Sequence, residues 1–219
     1  MLAQYAFRVP DPTVPTRRRR VPALAPEERR AALIAATVPL LREHGAAVST
    51  RQIAQAAGVA EGTIFGVFPD KTSLVDAAIV SALDPAPTLA SLEWLTNVPD
   101  LHTRLGMAVS VLTSRFRDNA AILAMARQRV MTADVSAELR CGVTASRDKI
   151  MDALTAVIEP DAERLRRSPR SVARLLVVLV GTTAYGVFDD DRMSGDEIVT
   201  LLLDGLLVRP SDTATDGGS

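Results

Sequence analysis

Apolar residues recur at helical spacing in the segment that follows Pro26. Leu33, Ala36 and Leu40 share one side of a helix, and two glutamates directly follow the proline. Proline is tolerated in the first turn of a helix, acids there suit the helix dipole, and glycine commonly ends a helix. The pattern therefore predicts a first helix from Pro26 to Gly45.

A short second helix is predicted to begin after Ser49. Ser49 and Gln52 have the spacing of a capping box, in which each side chain accepts a hydrogen bond from the other residue's backbone N–H. Gly58 permits a sharp turn at the end of this helix, because glycine adopts backbone angles that other residues avoid. The segment after Gly45 therefore predicts a second helix followed by a tight turn.

Two further helices follow this turn. The third is predicted to reach about Phe68, where Pro69 breaks it, and Asp70 is a favourable N-cap for a fourth helix that continues through Leu83. The apolar residues of the second and third helices are predicted to form a core: Ile53, Ala54, Ala57, Val59, Ile64 and Phe68.

The rest of the chain is also helical in pattern, with prolines between the periodic segments. It contains no alternating run long enough for a strand, so the predicted fold class is all-α. The predicted helices cover residues 88–96, 100–118, 119–130, 134–158, 169–188 and 194–208.

Charge is distributed unevenly along the 219 residues. Residues 1–75 carry ten arginines and lysines against six acids, whereas the remainder carries fifteen against twenty. A basic end on an acidic body is expected where one end meets a polyanion. The four arginines at 17–20 supply the whole excess, so chance clustering remains an alternative.

The single cysteine and the N-terminus restrict the cellular context. Cys141 cannot form an internal disulfide, and a buried, unreactive cysteine is the ordinary expectation for it. The first residues lack the apolar run of a signal peptide, and the most apolar stretch, 175–188, is too short to span a bilayer of roughly 30 Å. We therefore expect a cytoplasmic protein without metal or cofactor.

Two short helices joined by a tight turn and packed on a preceding helix describe a helix-turn-helix, whose second helix enters the DNA major groove. Residues 27–75 resemble the DNA-binding domain of tetracycline-repressor-like (TetR) regulators in sequence as well. The matching residues are Gly45, Ser49, Ile53, Ala54, Ala57, Gly58, Val59, Gly62, Thr63, Ile64, Phe65, Phe68, Pro69, Asp70, Lys71 and Leu74.

The resemblance implies a dimeric transcriptional repressor that releases operator DNA when a small molecule binds. It divides the chain into a disordered basic arm (1–25), a helix-turn-helix DNA-binding domain (26–72), a helical ligand-binding and dimerisation domain (73–209) and a disordered tail (210–219). The four arginines of the arm are candidates for additional contacts with DNA phosphates.

Six residues are candidates for DNA contact. Gly62 and Thr63 lie in the first turn of the predicted recognition helix, where a small residue and a hydroxyl can approach base edges. Thr50 and Arg51 begin the second helix, whose free amides suit a phosphate. The resemblance assigns Lys71 to the DNA backbone, and Phe65 replaces a tyrosine whose hydroxyl usually contacts phosphate.

Two further departures from the family pattern leave another function open. Ala60 stands where serine often caps the recognition helix, and Gly66 makes the surface that faces the groove unusually small. Together with Phe65, they keep open a helical ligand-binding or interaction protein whose helix-turn-helix has lost tight DNA affinity. Retardation of an inverted repeat by the purified protein distinguishes the two functions.

The last two predicted helices, 169–188 and 194–208, have the pattern of an association surface. Both are rich in apolar and small residues, and Leu202 lies in the apolar stripe of the second. Such a pair buries its apolar surface best in a four-helix bundle with its own copy, and completion of the monomer core is the alternative.

The sequence predicts an apolar or amphipathic effector but does not identify it. Arg104, Arg127 or Tyr185 could supply a polar anchor. The candidate ligand-binding residues are apolar or adaptable side chains on helices that surround the ligand in the family: Trp94, Met107, Val111, Met125, Met151 and Tyr185.

An enzyme is not expected. His44 and His102 are the only histidines, and the chain lacks a Ser-His-Asp order, a metal-ligand spacing, a P-loop and a dinucleotide fingerprint.

Overall fold

The computed structural model describes residues 25–131, 135–184 and 194–206. These residues confirm the all-α class, and short 3-10 turns cover Gly45–Ala47 and Glu159–Arg164. Residues 1–24 of the predicted arm, the predicted tail and Tyr185 lie outside the described residues. The described helices are α1 (Pro26–His44), α2 (Thr50–Ala57), α3 (Glu61–Phe65), α4 (Lys71–Ala82), α5 (Ala86–Leu95), α6 (Leu101–Asp118), α7 (Ala120–Val130), α8 (Ala137–Ile158), α9 (Pro169–Ala184) and α10 (Gly195–Leu206).

The predicted start of α2 is confirmed at the level of individual hydrogen bonds. The backbone N–H of Gln52 donates to Ser49 Oγ at 3.2 Å, and the N–H of Ser49 donates to Gln52 Oε1 at 2.8 Å. Gly58 ends the helix with φ of 67°, a left-handed conformation that glycine adopts without steric cost. The turn between α2 and α3 is therefore built by the residues that predicted it.

Helix α3 is shorter than predicted. It ends at Phe65 because Gly66 begins a turn, and Phe68 leaves the helix axis to enter the core. The guanidinium carbon of Arg30 lies 4.6 Å from the centroid of the Phe68 ring, a cation–π contact that joins this turn to α1. Among the predicted core residues of α2 and α3, Ala57 and Val59 are only half-buried.

The N-terminal core extends beyond the first three helices. Helix α4, capped by Asp70, contributes apolar residues as far as Leu83, and α7 and α8 contribute Ile122, Met125 and Leu139 to the same cluster. The predicted domain boundary at residue 72 falls inside α4. This helix is therefore shared between the N-terminal head, formed by α1 to α3, and the helical body, formed by α5 to α10.

The body has a second core formed by α5, α6, α8, α9 and α10. The apolar side chains of these helices pack into one cluster, including Leu92, Leu105, Leu154, Leu176 and Leu202. Burial of such side chains is the main favourable contribution to folding.

Two observations correct predictions made for the body. Leu202 is only 7% exposed and packs in the core of its own chain, so its predicted place on an association surface is wrong. The neighbouring Leu201 is 62% exposed, because adjacent residues of a helix point about 100° apart. Cys141, expected to be buried, is exposed.

Helix α4 is held against the body at three points. The buried Asp76 forms an ion pair with Arg129 of α7, with Arg129 Nε 2.5 Å from Asp76 Oδ1. Val80 packs so closely on Gly142 of α8 that a carbon added at Gly142 would lie 2.8 Å from both Val80 methyl carbons. The third point is a set of hydrogen bonds at Leu83, where α4 has just ended.

Candidate DNA-binding face and ligand cavity

The N-termini of α2, α3 and α4 lie near one another in the head. The hydroxyl of Thr50 donates a hydrogen bond to Glu61 Oε1, which joins the starts of α2 and α3. Lys71 Nζ donates to the carbonyl oxygen of Ala46 at 3.3 Å, which brings the start of α4 close to the turn before α2. Five of the six residues predicted to contact DNA therefore lie at these helix starts, and Phe65 is the last residue of α3.

The structure exposes three of the six residues that were predicted to contact DNA. Arg51 and Gly62 are exposed, no atom lies within 4 Å of the position that a side chain at Gly62 would occupy, and Phe65 is 55% exposed. Thr50, Thr63 and Lys71 are half-buried. The side of α3 that carries Gly62 and Phe65 therefore offers a small, apolar surface with space for close backbone approach.

The start of α3 carries an acid that the sequence analysis did not select. Ala60 has no side-chain cap, as predicted from its residue type, and Glu61 occupies the first turn. An acid there suits the helix dipole, so the sequence gives an ordinary structural reason for Glu61 and no signal for function. In contrast, the carboxylate of Asp70 caps α4 by accepting from Ser73 N, and this hydrogen bond lowers the pKa of Asp70.

A cavity of about 250 Å³ lies in the body below the end of α4. It is lined by residues of α6, α7, α8 and α9 together with Leu83. Its polar lining is confined to Arg115, Ser146 and Arg147. The apolar lining residues are Leu83, Leu112, Phe116, Leu123, Val143, Ile150, Met151 and Val177.

Arg115 connects this cavity to α4. Its guanidinium donates to the carbonyl oxygens of Leu83 at 2.8 Å and Asp84 at 3.1 Å, and to the hydroxyls of Thr88 and Ser146 at 3.2 Å. Ser146 Oγ donates to the Leu83 carbonyl oxygen at 2.7 Å. The carbonyl groups of Leu83 and Asp84, directly after α4, therefore accept hydrogen bonds from side chains of α6 and α8.

Arg115 gave no functional signal in the sequence. It lies in the last turn of α6, where a cation is expected to suit the helix dipole. Its importance follows from the approach of α4, which sequence periodicity does not specify.

The predicted ligand-binding residues fall in different places. Met151 lines the cavity, and the exposed Trp94 lies with Met107 and Val111 along an open depression between α5 and α6. Met125 packs in the N-terminal core, beside a separate cleft that also includes Lys71. The structure thus places one of the five described candidates in the cavity below α4, and their role in ligand binding stays a prediction.

The two arginines considered as ligand anchors are elsewhere. Arg104 is 2% exposed and forms a buried ion pair with Asp161. Its guanidinium also donates to the carbonyl oxygens of Val157 at 2.7 Å and Val98 at 2.6 Å, so it is unsuited as an anchor. Arg127 is exposed on α7 and does not line the cavity.

The described residues show no group of three or more His, Cys, Asp or Glu side chains that could hold a metal ion. His44 and His102 are exposed and lie outside the cavity lining. Within the described part of the chain, no helix is both long enough and apolar enough to cross a membrane.

A short helix pair joined by a glycine turn and seated on a helical body is the arrangement of a helix-turn-helix protein. Residues 33–78 match the family model described as bacterial regulatory proteins, tetR family. This stretch of the chain is therefore similar in sequence to the tetR family of bacterial regulatory proteins.

Solved structures agree with this fold. A candidate TetR-family transcriptional regulator from Mesorhizobium loti MAFF303099 superposes with a TM-score of 0.68 at 16% identity, over 84% of this chain and 100% of that chain. A TetR transcription regulator from Haloarcula marismortui gives 0.63 at 18% identity, over 83% and 100% of the two chains.

A third structure of the same fold contains a ligand. The SmeT–triclosan complex has a TM-score of 0.55 at 18% identity, covering 84% of this chain and 93% of that chain. Curated protein sequences gave no match to the chain.

Proposed function

We propose that this protein is a homodimeric transcriptional repressor of the cytoplasm and not an enzyme. A small apolar or amphipathic effector releases the repressor from operator DNA. The observation that carries the proposal is the position of α4. Lys71 at its start belongs to the group of helix starts in the head, and Leu83 just after its end lines the cavity in the body. One helix of 12 residues therefore connects the proposed DNA contact to the proposed effector site.

The lining of the cavity supports an apolar effector. Eight of its eleven lining residues are apolar, and such cavities bind ligands largely by removing apolar surface from water. SmeT, which has the same fold, has been solved with triclosan. The shared fold supports ligand binding in the body, and the lining residues supply the chemistry specific to this chain.

The proposal of a dimer rests on exposed apolar residues of α9 and α10. Leu175 is 43% exposed, Val178 is 55% exposed and Leu201 is 62% exposed. An aspartate at Leu201 should shift a folded protein toward monomer, because a charge at an apolar interface is costly. Light scattering tests this, and Thr200→Asp is a control at a neighbouring exposed, polar position.

Selection of bound sequences from random DNA is the direct test of the function. A dimer should return an inverted repeat whose half-sites lie roughly 34–36 Å apart, about one turn of DNA. Recovery of no such site would contradict the repressor and favour the helical ligand-binding or interaction protein that Phe65, Ala60 and Gly66 left open.

Two substitutions test the proposed roles within the head. Thr63→Ala should weaken the selected site more than random DNA, because Thr63 is proposed to approach base edges. Lys71→Ala should weaken both and reduce the salt dependence by about one unit of slope, because it removes one phosphate contact. Equal losses on both DNAs for the two variants would contradict these roles. Because Lys71 also donates a hydrogen bond to the carbonyl oxygen of Ala46, circular dichroism is needed as a control. It should show that the variants keep their helix content.

A further inference from the structure

Helix α6 carries a buried arginine, Arg104, and a half-buried arginine, Arg115, and the two differ in the groups that accept their hydrogen bonds. Arg104 is paired with the carboxylate of Asp161. Arg115 is half-buried, and its hydrogen bonds in the described part of the chain go to carbonyl and hydroxyl oxygens. No ion pair between Arg115 and a carboxylate is found among the described residues.

The surroundings of Arg115 do not compensate its charge fully. Burial lowers the pKa of the Arg115 guanidinium, and the Coulombic attraction of Asp84 offsets only part of this effect. The carboxylate of Asp84 is exposed, and its Oδ1 accepts a hydrogen bond from Ala86 N at 3.1 Å. A cation held by neutral oxygens gains more from a carboxylate, because hydrogen bonds between two charged groups are shorter and stronger.

The cavity beside Arg115 has space for such a carboxylate and an apolar chain. Arg115 is one of the residues that line a cavity whose remaining lining is mostly apolar. Its volume of about 250 Å³ is just below the roughly 300–1,000 Å³ typical of sites for drug-sized ligands, so a small ligand fits best.

We propose that the cavity binds a medium-chain alkyl carboxylate, and that Arg115 binds its carboxylate in competition with the carbonyl oxygens of Leu83 and Asp84. The inference deepens the proposed function, because it takes this cavity as the effector site. It names the chemical class of the effector and the residue that detects it.

The competition gives the ligand a direct effect on α4. The last carbonyl groups of a helix carry partial negative charge, and side-chain donors there stabilise the helix end. A carboxylate that takes hydrogen bonds from Arg115 removes them from Leu83 and Asp84, leaving Ser146 as the described side-chain donor to Leu83 O. The final turn of α4 is then less firmly attached to α6.

Direct binding measurements with two matched probes test the ligand class. Octanoate and 1-octanol have the same chain length, and only octanoate carries a carboxylate. Calorimetry on the full-length wild-type protein at pH 7 should show saturable binding of octanoate about tenfold or more tighter than that of 1-octanol. A series from butanoate to decanoate locates the length that the cavity accepts.

Two arginine variants test the assigned residue. Arg115→Gln should abolish the preference for octanoate, whereas Arg147→Gln should keep it, because Arg147 lines the same cavity but its side chain is 67% exposed. Arg115→Lys keeps the charge and loses the two-pronged donor geometry, so octanoate should bind more weakly but still better than 1-octanol. Circular dichroism verifies that each variant is folded.

Hydrogen exchange on the wild-type protein tests the mechanism without a substitution. Octanoate should increase amide exchange in the last turn of α4, residues 79–84, and 1-octanol should not. The proposal is overturned if no carboxylate of the series binds, if 1-octanol binds as tightly as octanoate, if Arg115→Gln binds octanoate like the wild type, or if octanoate protects residues 79–84. None of these measurements contains DNA, so their failure is distinguishable from failure of the proposed repressor to select an operator.

Discussion

The two halves of α6 use the same residue type for opposite purposes. In the first half, Arg104 is buried against Asp161 and backbone carbonyl oxygens. In the second half, Arg115 donates hydrogen bonds to uncharged oxygens and lies beside an apolar cavity. The difference indicates that the first site stabilises the fold, whereas the second keeps a charge available.

The largest effect is expected at the buried site. Asp161→Ala leaves the Arg104 charge buried and unpaired, which should lower the free energy of unfolding by about 3–5 kcal/mol. Urea unfolding at fixed protein concentration measures this. The double variant Arg104→Met with Asp161→Leu should recover much of the loss, since removing both charges leaves none unpaired. A single variant as stable as the wild type would show that the pair is not buried.

A smaller loss is expected at the site beside the cavity. Arg115→Met removes hydrogen bonds to Leu83, Asp84, Thr88 and Ser146 but leaves no partner carboxylate unpaired. The free energy of unfolding should fall by about 1–3 kcal/mol. The same urea experiment measures it, with Arg117→Met, an exposed position on the same helix, as the control. A loss as large as that of Asp161→Ala would remove the distinction between the two arginines.

The smallest effect is expected for an arginine on the surface of the body. Arg170 Nη1 lies 2.6 Å from Asp152 Oδ1, and the two side chains are 60% and 66% exposed. Arg170→Ala should change the free energy of unfolding by about 0–1 kcal/mol, because solvent and salt screen exposed pairs. Unfolding in low and high salt checks this. A larger, salt-independent loss would mean that the stability contribution of an arginine depends on the distance to its partner and not on burial.

The sequence predicts the head well because its signals are local. The capping box at Ser49, the left-handed turn at Gly58 and the cap at Asp70 each depend on residues within a few positions. The structure confirms all three. The main error is the length of α3. The sequence predicts that Pro69 ends this helix, but the helix ends earlier, at Phe65, and Phe68 is buried in the core.

The body could be predicted as helices but not as a site. Periodicity identifies α5 to α10, yet it does not say which faces meet, so residues chosen for their chemistry fell in the cavity, in an open depression and in the N-terminal core. Arg104 and Arg115 look alike in sequence because the partners that distinguish them, Asp161 and Leu83, are distant along the chain. Leu201 and Leu202 are likewise the same residue type, and only the packing of α10 makes the first exposed and the second buried.

Gly142 is a position where a substitution could adjust the distance between α4 and α8 without replacing a residue of either proposed site. Val80 leaves no room for even one additional carbon at this residue, so each larger side chain must act as a spacer between α4 and α8. Alanine or serine there would alter the resting separation of the two helices without replacing any residue that is proposed to contact DNA or that lines the cavity. Under the proposed function, side-chain volume at this one site would therefore adjust ligand sensitivity and basal activity without replacing a residue that binds operator or effector.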